Sequence, residues 1–218
     1  MIFNYKDISK EHLNAHIDHL LNIMNDIEPN KVTVLTGGNA LGKSLIRKQL
    51  LFTLDRKLND LGIKHDIKHI TASTSMQLRT EQRPEWGALS SALHDLPWNS
   101  TSDHTIRCIK DLLRINTDKR FYIIDELEIG MSREVQLGMA KYINDNLDKI
   151  LENSWGVLII THSENVVKNI KHDKFINIEG LTEEEWLNRK IEPVEPDVLQ
   201  KWASELFDAV RDREKPVN

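Results

Sequence analysis

Residues 37–44 read Gly-Gly-Asn-Ala-Leu-Gly-Lys-Ser, a G-x-x-x-x-G-K-[ST] pattern that constrains the fold more than any other stretch of the chain. Such a loop needs a strand to lead into it and a helix to leave it. Residues 31–36 (KVTVLT) form a short β-branched run that stops at the glycine pair, and residues from 43 onward read as a helix ending near Gly62. Each residue type has a chemical reason to be there. The glycines let backbone N–H groups turn inward, and the helix N-terminus contributes its positive dipole end. Lys43 offers an ammonium to the β/γ oxygens of a nucleotide, and Ser44 a hydroxyl to Mg²⁺. The candidate binding set is therefore Gly37, Gly38, Asn39, Ala40, Leu41, Gly42, Lys43, Ser44 and Leu45.

The same alternation of apolar strand and helix continues along the chain. Residues 8–27 carry apolar side chains at helical spacing (Leu13, Ile17, Leu20, Leu21, Met24) and end in the turn signal Glu28-Pro29-Asn30. Strands are expected at residues 67–72, 121–124, 155–160 and 174–178, and helices at 105–113, 134–151, 166–170 and 197–213. Residues 73–103 mix Ser, Thr, Pro and Trp without a clear period and read as a mostly irregular or short-helical insert. Fully apolar strands such as FYII and WGVLII, separated by helices, imply a parallel sheet covered on both faces. The fold expected is α/β, a P-loop NTPase with a mostly parallel sheet flanked by helices. Residues 1–180 would form that domain, and residues 181–218 a charged helical C-terminal tail: a helical cover, an interaction arm or, most simply, a solvated helix.

Composition narrows the setting. The single cysteine, Cys108, excludes an internal disulfide and suits a reducing compartment, the cytoplasm by default. No long apolar run supports membrane insertion. A net charge of −5 argues against a surface that is basic overall and leaves open a local patch for nucleic acid; the basic pairs Arg47-Lys48 and Arg56-Lys57 on the helix after the loop read first as a solvated face.

Two further motifs sit at expected strand ends. Asp125-Glu126 closes the FYII strand, where ligands of open parallel sheets bind. Successive side chains of a strand point to opposite sides, so Asp125 can hold Mg²⁺ and its water, while Glu126 reaches the water that attacks a γ-phosphate. His162 follows the LIIT strand end, where an imidazole can touch the γ-phosphate or orient Glu126. Glu126, His162 and Lys43 are the candidate catalytic residues.

These residues resemble the ABC ATPase superfamily, in the branch of chromosome-maintenance, DNA-repair and overcoming-lysogenization ATPases rather than transporters. Gly37-x-Asn39-x-x-Gly42-Lys43-Ser44 is similar to its GxNGxGKS, with Ala40 in place of a glycine. Asp125-Glu126-Leu127-Glu128-Ile129-Gly130-Met131-Ser132 resembles its DEPEIGLS, with Leu127 in place of proline, and Thr161-His162-Ser163 its switch-histidine loop. The resemblance implies a signature serine ahead of the Walker B aspartate. Ser102 has the spacing, although Asp103 stands where glycine is expected and a plain Asp103 N-cap is the competing reading. It also implies a glutamine on Mg²⁺, for which Gln77 is the candidate and Gln82 the alternative, completing a metal set of Ser44, Asp125 and Gln77. The strands and adenine-stacking aromatic usual before the loop are not evident here, where Phe3 and Tyr5 offer at most one short strand.

What the resemblance implies is an ATP-binding, ATP-hydrolysing protein using ATP and Mg²⁺, an ATP-dependent homodimer in which the Ser102 loop of one copy completes the other's nucleotide site. DNA or a DNA-processing partner protein is the implied object of the switch. Two other classes stay open: a small-molecule phosphotransferase using Arg79, Arg83 or Arg107 as a lid, and a weakly hydrolysing nucleotide-binding regulatory module.

Overall fold

The computed structural model describes residues 5–47, 49–50, 70–72, 106, 120–152 and 154–214. Backbone hydrogen bonds arrange five strands in the order β2-β3-β4-β1-β5: β1 (Val32–Thr36), β2 (Ile70–Ala72), β3 (Arg120–Asp125), β4 (Ser154–Ile160) and β5 (Lys174–Asn177). The fold is α/β with a parallel sheet flanked by helices, as the alternation in the sequence predicts. Helices are α1 (Lys10–Asn25), α2 (Arg133–Glu152), α3 (Glu164–Asn169), α4 (Glu183–Asn188) and α5 (Pro196–Glu214), with a further helical stretch at residues 43–47. No helix among the described residues is long and apolar enough to cross a membrane. Two compact units divide the chain: one comprises Met1–Glu28, Leu35–Lys64 and Phe175–Asn218, the other Pro29–Val34 and His65–Lys174.

In the second unit β2, β3 and β4 pair in parallel, with Ile123 opposite Leu158 and Asp125 opposite Ile160. The start of β1 joins β4 through Asn30 N to Trp155 O at 2.8 Å and Val157 N to Lys31 O at 2.9 Å. Phe121, Ile123 and Ile124 and the run from Val157 to Ile160 are buried, which explains their unbroken apolar character. The amphipathic face of α2 (Met139, Ala140, Ile143, Leu147, Ile150) is buried. α3 begins on an N-cap, Ser163, whose side chain accepts from Val166 N. The β3–β4 register shifts between Arg120 and Phe121. There Gly156 adopts φ 126°, and a Cβ would lie 2.8 Å from the Phe121 ring, so only glycine passes this crowded point.

In the first unit the end of β1 meets β5, with Ile178 N donating to Thr36 O at 3.0 Å and Asn177 Nδ2 to Thr36 Oγ1 at 3.0 Å. α1 packs its Leu13 and Ile17 on Trp202 and Leu206 of α5. Trp202 is fully buried in that contact, because one apolar stripe survives among the charges of α5. α4, which the sequence reading passed over, is opened by a capping box between Thr182 and Glu185. It buries Trp186, whose ring lies 6.1 Å from that of Phe175 and 4.0 Å beneath the Arg189 guanidinium.

Candidate functional site

In the first unit, β1 delivers the chain into the glycine loop and the helix at residues 43–47 leaves it. Gly42 turns the corner at φ 98°, and a Cβ there would lie 2.6 Å from Leu20 Cδ1; backbone and packing both demand glycine. Ala40 sits at φ 60°, a left-handed conformation that a side chain resists, where the resembled motif carries glycine. Leu41 is buried and anchors the loop, Leu45 is half-buried, and Asn39 and Ser44 are exposed. Lys43 is 8% exposed and donates through Nζ to Gly37 O at 3.0 Å and Gly38 O at 2.7 Å. Its ammonium is thereby held over the loop and compensated by two carbonyl dipoles, both replaceable by a stronger acceptor.

The loop is braced from α1 and its approach. His16 Nε2 donates to Leu41 O at 3.0 Å, and His19 Nε2 donates to Ile178 O at 2.8 Å just beyond β5. A carbonyl only accepts, so both imidazoles carry their proton on Nε2. Burial pushes the His16 pKa below its ordinary value, outweighing the carbonyl that favours its charge. Tyr5 lies in a turn, not a strand, and its hydroxyl donates to Asn39 O at 3.3 Å. Burial, with the Glu179 charge as a second cause, pushes the Tyr5 phenol up to about 12. Glu179 Oε2 accepts from Gly38 N at 3.3 Å, so a carboxylate takes one of the loop's own N–H groups.

In the second unit, β3 ends on Asp125, 7% exposed. Glu126 then leaves the strand at φ 54°, its N–H bonded to Ile160 O at 2.8 Å. A glutamate held in the left-handed region is backbone strain of the kind found at functional sites. Its Oε1 lies 3.7 Å from His162 Nε2, and both side chains are about one-third exposed. Glu128 accepts from Thr161 Oγ1 at 2.8 Å and from His162 N at 2.7 Å. Ser163 Oγ donates to Gln136 Oε1 at 2.7 Å, and Gln136 Nε2 donates to Met131 O at 3.1 Å. Glu128 and Gln136 thus tie the turn after β3 and the start of α2 to the segment after β4.

Comparison with known proteins names no family. No protein-family model matches the chain, and no curated protein matches it. Among solved structures it is similar to the Aeropyrum pernix ORC1 protein, solved in complex with DNA, at 16% identity and a TM-score of 0.37, covering 94% of this chain and 55% of that one. It is similar to Saccharomyces cerevisiae RIF2 at 10% identity and a TM-score of 0.41, covering 96% and 78%. C. elegans PCH-2 follows at 17% identity and a TM-score of 0.34, covering 77% and 40%. The chain thus spans about half the length of the first of these. Likenesses this loose assign neither family nor function.

Ser102 and Gln77, with the alternative Gln82 and the lid candidates Arg79, Arg83 and Arg107, lie outside the described residues. Among the described residues no cluster of three or more His, Cys, Asp and Glu side chains could hold a metal. The donors expected for Mg²⁺ are nevertheless of the right kind, since the Ser44 hydroxyl and the Asp125 carboxylate are hard oxygens and Mg²⁺ retains several waters. Glu128, Gln136, His16 and Glu179 were not singled out from the sequence. Glu128 stands inside the acidic motif of residues 125–132, but its partners are 33 and 34 residues away, a distance that no local pattern spans.

Proposed function

We propose that this protein binds ATP with Mg²⁺ and hydrolyses it, as an ABC-type ATPase whose ATP-bound form is a homodimer. The observation that carries the reading is the glycine loop between β1 and the helix at residues 43–47, with Lys43 held over it by the Gly37 and Gly38 carbonyls. Lys43 exchanges those carbonyls for β/γ-phosphate oxygens, and the loop amides of residues 38–45 line the phosphates. Ser44 and Asp125, with Gln77, hold Mg²⁺, which supplies charge neutralisation on the phosphates. Glu126 takes the proton of the attacking water, and His162 at 3.7 Å steadies that carboxylate and responds to the γ-phosphate. Ser102 of a second copy completes the site, so hydrolysis loosens the dimer and the output is a conformational switch. The resemblance makes DNA or a DNA-processing protein the object of that switch.

The test is light scattering and ATP turnover on the wild-type chain and the Glu126→Gln variant. The variant is expected to bind MgATP, to lose turnover by roughly 10²-fold or more, and to double in mass only with ATP. A variant that turns over ATP at the wild-type rate overturns the role of Glu126. Tight ATP binding with an unchanged mass overturns the dimer.

A further inference from the structure

Between β3 and α2 the chain places a carboxylate that the hydrolytic reading above does not use, and both of its oxygens accept hydrogen bonds. Glu128 spends one oxygen on the Thr161 hydroxyl, 2.8 Å away, and the other on the backbone N–H of His162, 2.7 Å away. The Thr161 hydroxyl in turn accepts from Ser163 N at 3.0 Å, and Thr161 is fully buried. Hydrogen bonds to a carboxylate are charge-assisted and geometrically demanding. The main chain of residues 161–163 is therefore held by Glu128 at the point where the imidazole of His162 departs.

Glu126 is fixed independently. Its own N–H is bonded to Ile160 O and its backbone is locked at φ 54°. The 3.7 Å approach of Glu126 Oε1 to His162 Nε2 thus has a backbone anchor under each residue, and Glu128 is one under His162. The Gln136–Ser163 bond secures the next residue. We propose that Glu128 is a positioning residue that sets His162 against Glu126; in catalysis, which rests on the hydrolytic reading above, it acts through that pair.

A Glu128→Ala change strips both acceptors. A Glu128→Gln change keeps the amide oxygen for the His162 N–H and offers an N–H to the Thr161 hydroxyl, which has lone pairs to receive it. A positioning role is thus rescued by glutamine, whereas a role for the charge itself is not. Among the described residues, the carboxylates shown in contact with His162 are Glu126 and Glu128; only Glu128 changes in these variants.

The experiment has two readouts on the chain of residues 1–218. In steady-state turnover, Glu128→Ala is expected to lower kcat by roughly 10- to 100-fold with ATP binding unchanged within about twofold. Glu128→Gln should recover most of that loss, and the Glu128→Ala/His162→Ala double variant should be no slower than His162→Ala alone. Multiplying losses, or an alanine variant at wild-type kcat, would overturn the proposal. In NMR at one fixed pH, the His162 imidazole resonance is expected to move when Glu126 becomes Gln in the wild-type and Glu128→Gln backgrounds, and to stay still in the Glu128→Ala background. An equal response in all three would overturn the proposal without any turnover being needed, so a wild-type chain that fails to hydrolyse ATP counts against the hydrolytic reading alone. If the alanine variant does not fold, Glu128→Asp, one methylene too short to reach both donors, takes its place in both measurements.

Discussion

The imidazole of His16 in α1 donates from Nε2 to the carbonyl of Leu41, 3.0 Å away, inside the glycine loop. This bond pins the loop from beneath, and both residues are buried. His16→Ala is expected to cost about 2 kcal/mol, from a carbonyl left unsatisfied and the space vacated, seen as a lower midpoint in urea or thermal melts. Because burial depresses the His16 pKa below 6.5, the unfolded state takes up its proton first. Stability from this site is complete above that ordinary value and is lost as pH falls below it towards the folded pKa. His16→Gln keeps a donor and cannot titrate, so its melts should fall less steeply than wild type on acidification from pH 7 to 5; parallel curves would refute the assignment.

Glu179 competes for the loop. Its carboxylate accepts from Gly38 N, placing a negative charge where an incoming phosphate would bring more. Glu179→Gln is expected to tighten nucleotide binding roughly fivefold, about 1 kcal/mol for one partly screened repulsion, as measured by calorimetric titration. The same change removes one cause of the raised Tyr5 pKa, so the phenol should ionise at a lower pH in ultraviolet titration.

Ala40 carries its side chain at φ 60°. Replacing alanine by glycine ordinarily destabilises through chain entropy, but relief of the left-handed strain offsets that loss here. Ala40→Gly is expected to be neutral or stabilising by up to about 1 kcal/mol in denaturant unfolding. A clear loss of stability would mean that the backbone at this position is not strained.

Trp202 tests whether α5 belongs to the first unit. Its ring is fully buried against Leu13 and Ile17 and meets the rings of Tyr5, His12 and His16 edge-on at 5.6 to 6.3 Å. Trp202→Ala is expected to cost about 3–5 kcal/mol. Arg213→Ala, which removes bonds to Asp18 and Asn14 on exposed surfaces, should cost well under 1 kcal/mol. Similar effects from the two changes, read in the same thermal melts, would contradict the packing described.

Much of the fold was legible because its signals are local. The helical period of Leu13, Ile17 and Leu20, the apolar run of FYII and WGVLII, and the glycine pair after KVTVLT each report on neighbouring residues, and α1, β3, β4 and β1 lie where those signals fall. α4 escaped because six residues give too little period, although its Thr182-x-x-Glu185 cap was present to be read. The packing of α5 on α1 was not legible, because the apolar stripe of Trp202 and Leu206 is recognised only beside Leu13 and Ile17.

The sequence by itself determined the parallel α/β alternation, the glycine loop and the acidic strand end, since these depend on backbone geometry and on residues within one turn or strand of each other. Tertiary structure alone decided that α1 braces the loop, that Glu179 occupies the Gly38 N–H, and that Glu128 holds His162. Those contacts join residues 25, 141 and 34 positions apart. A hydrogen bond of that span is chosen by how helices and strands pack, and no periodicity along the chain records which distant donor will meet which acceptor.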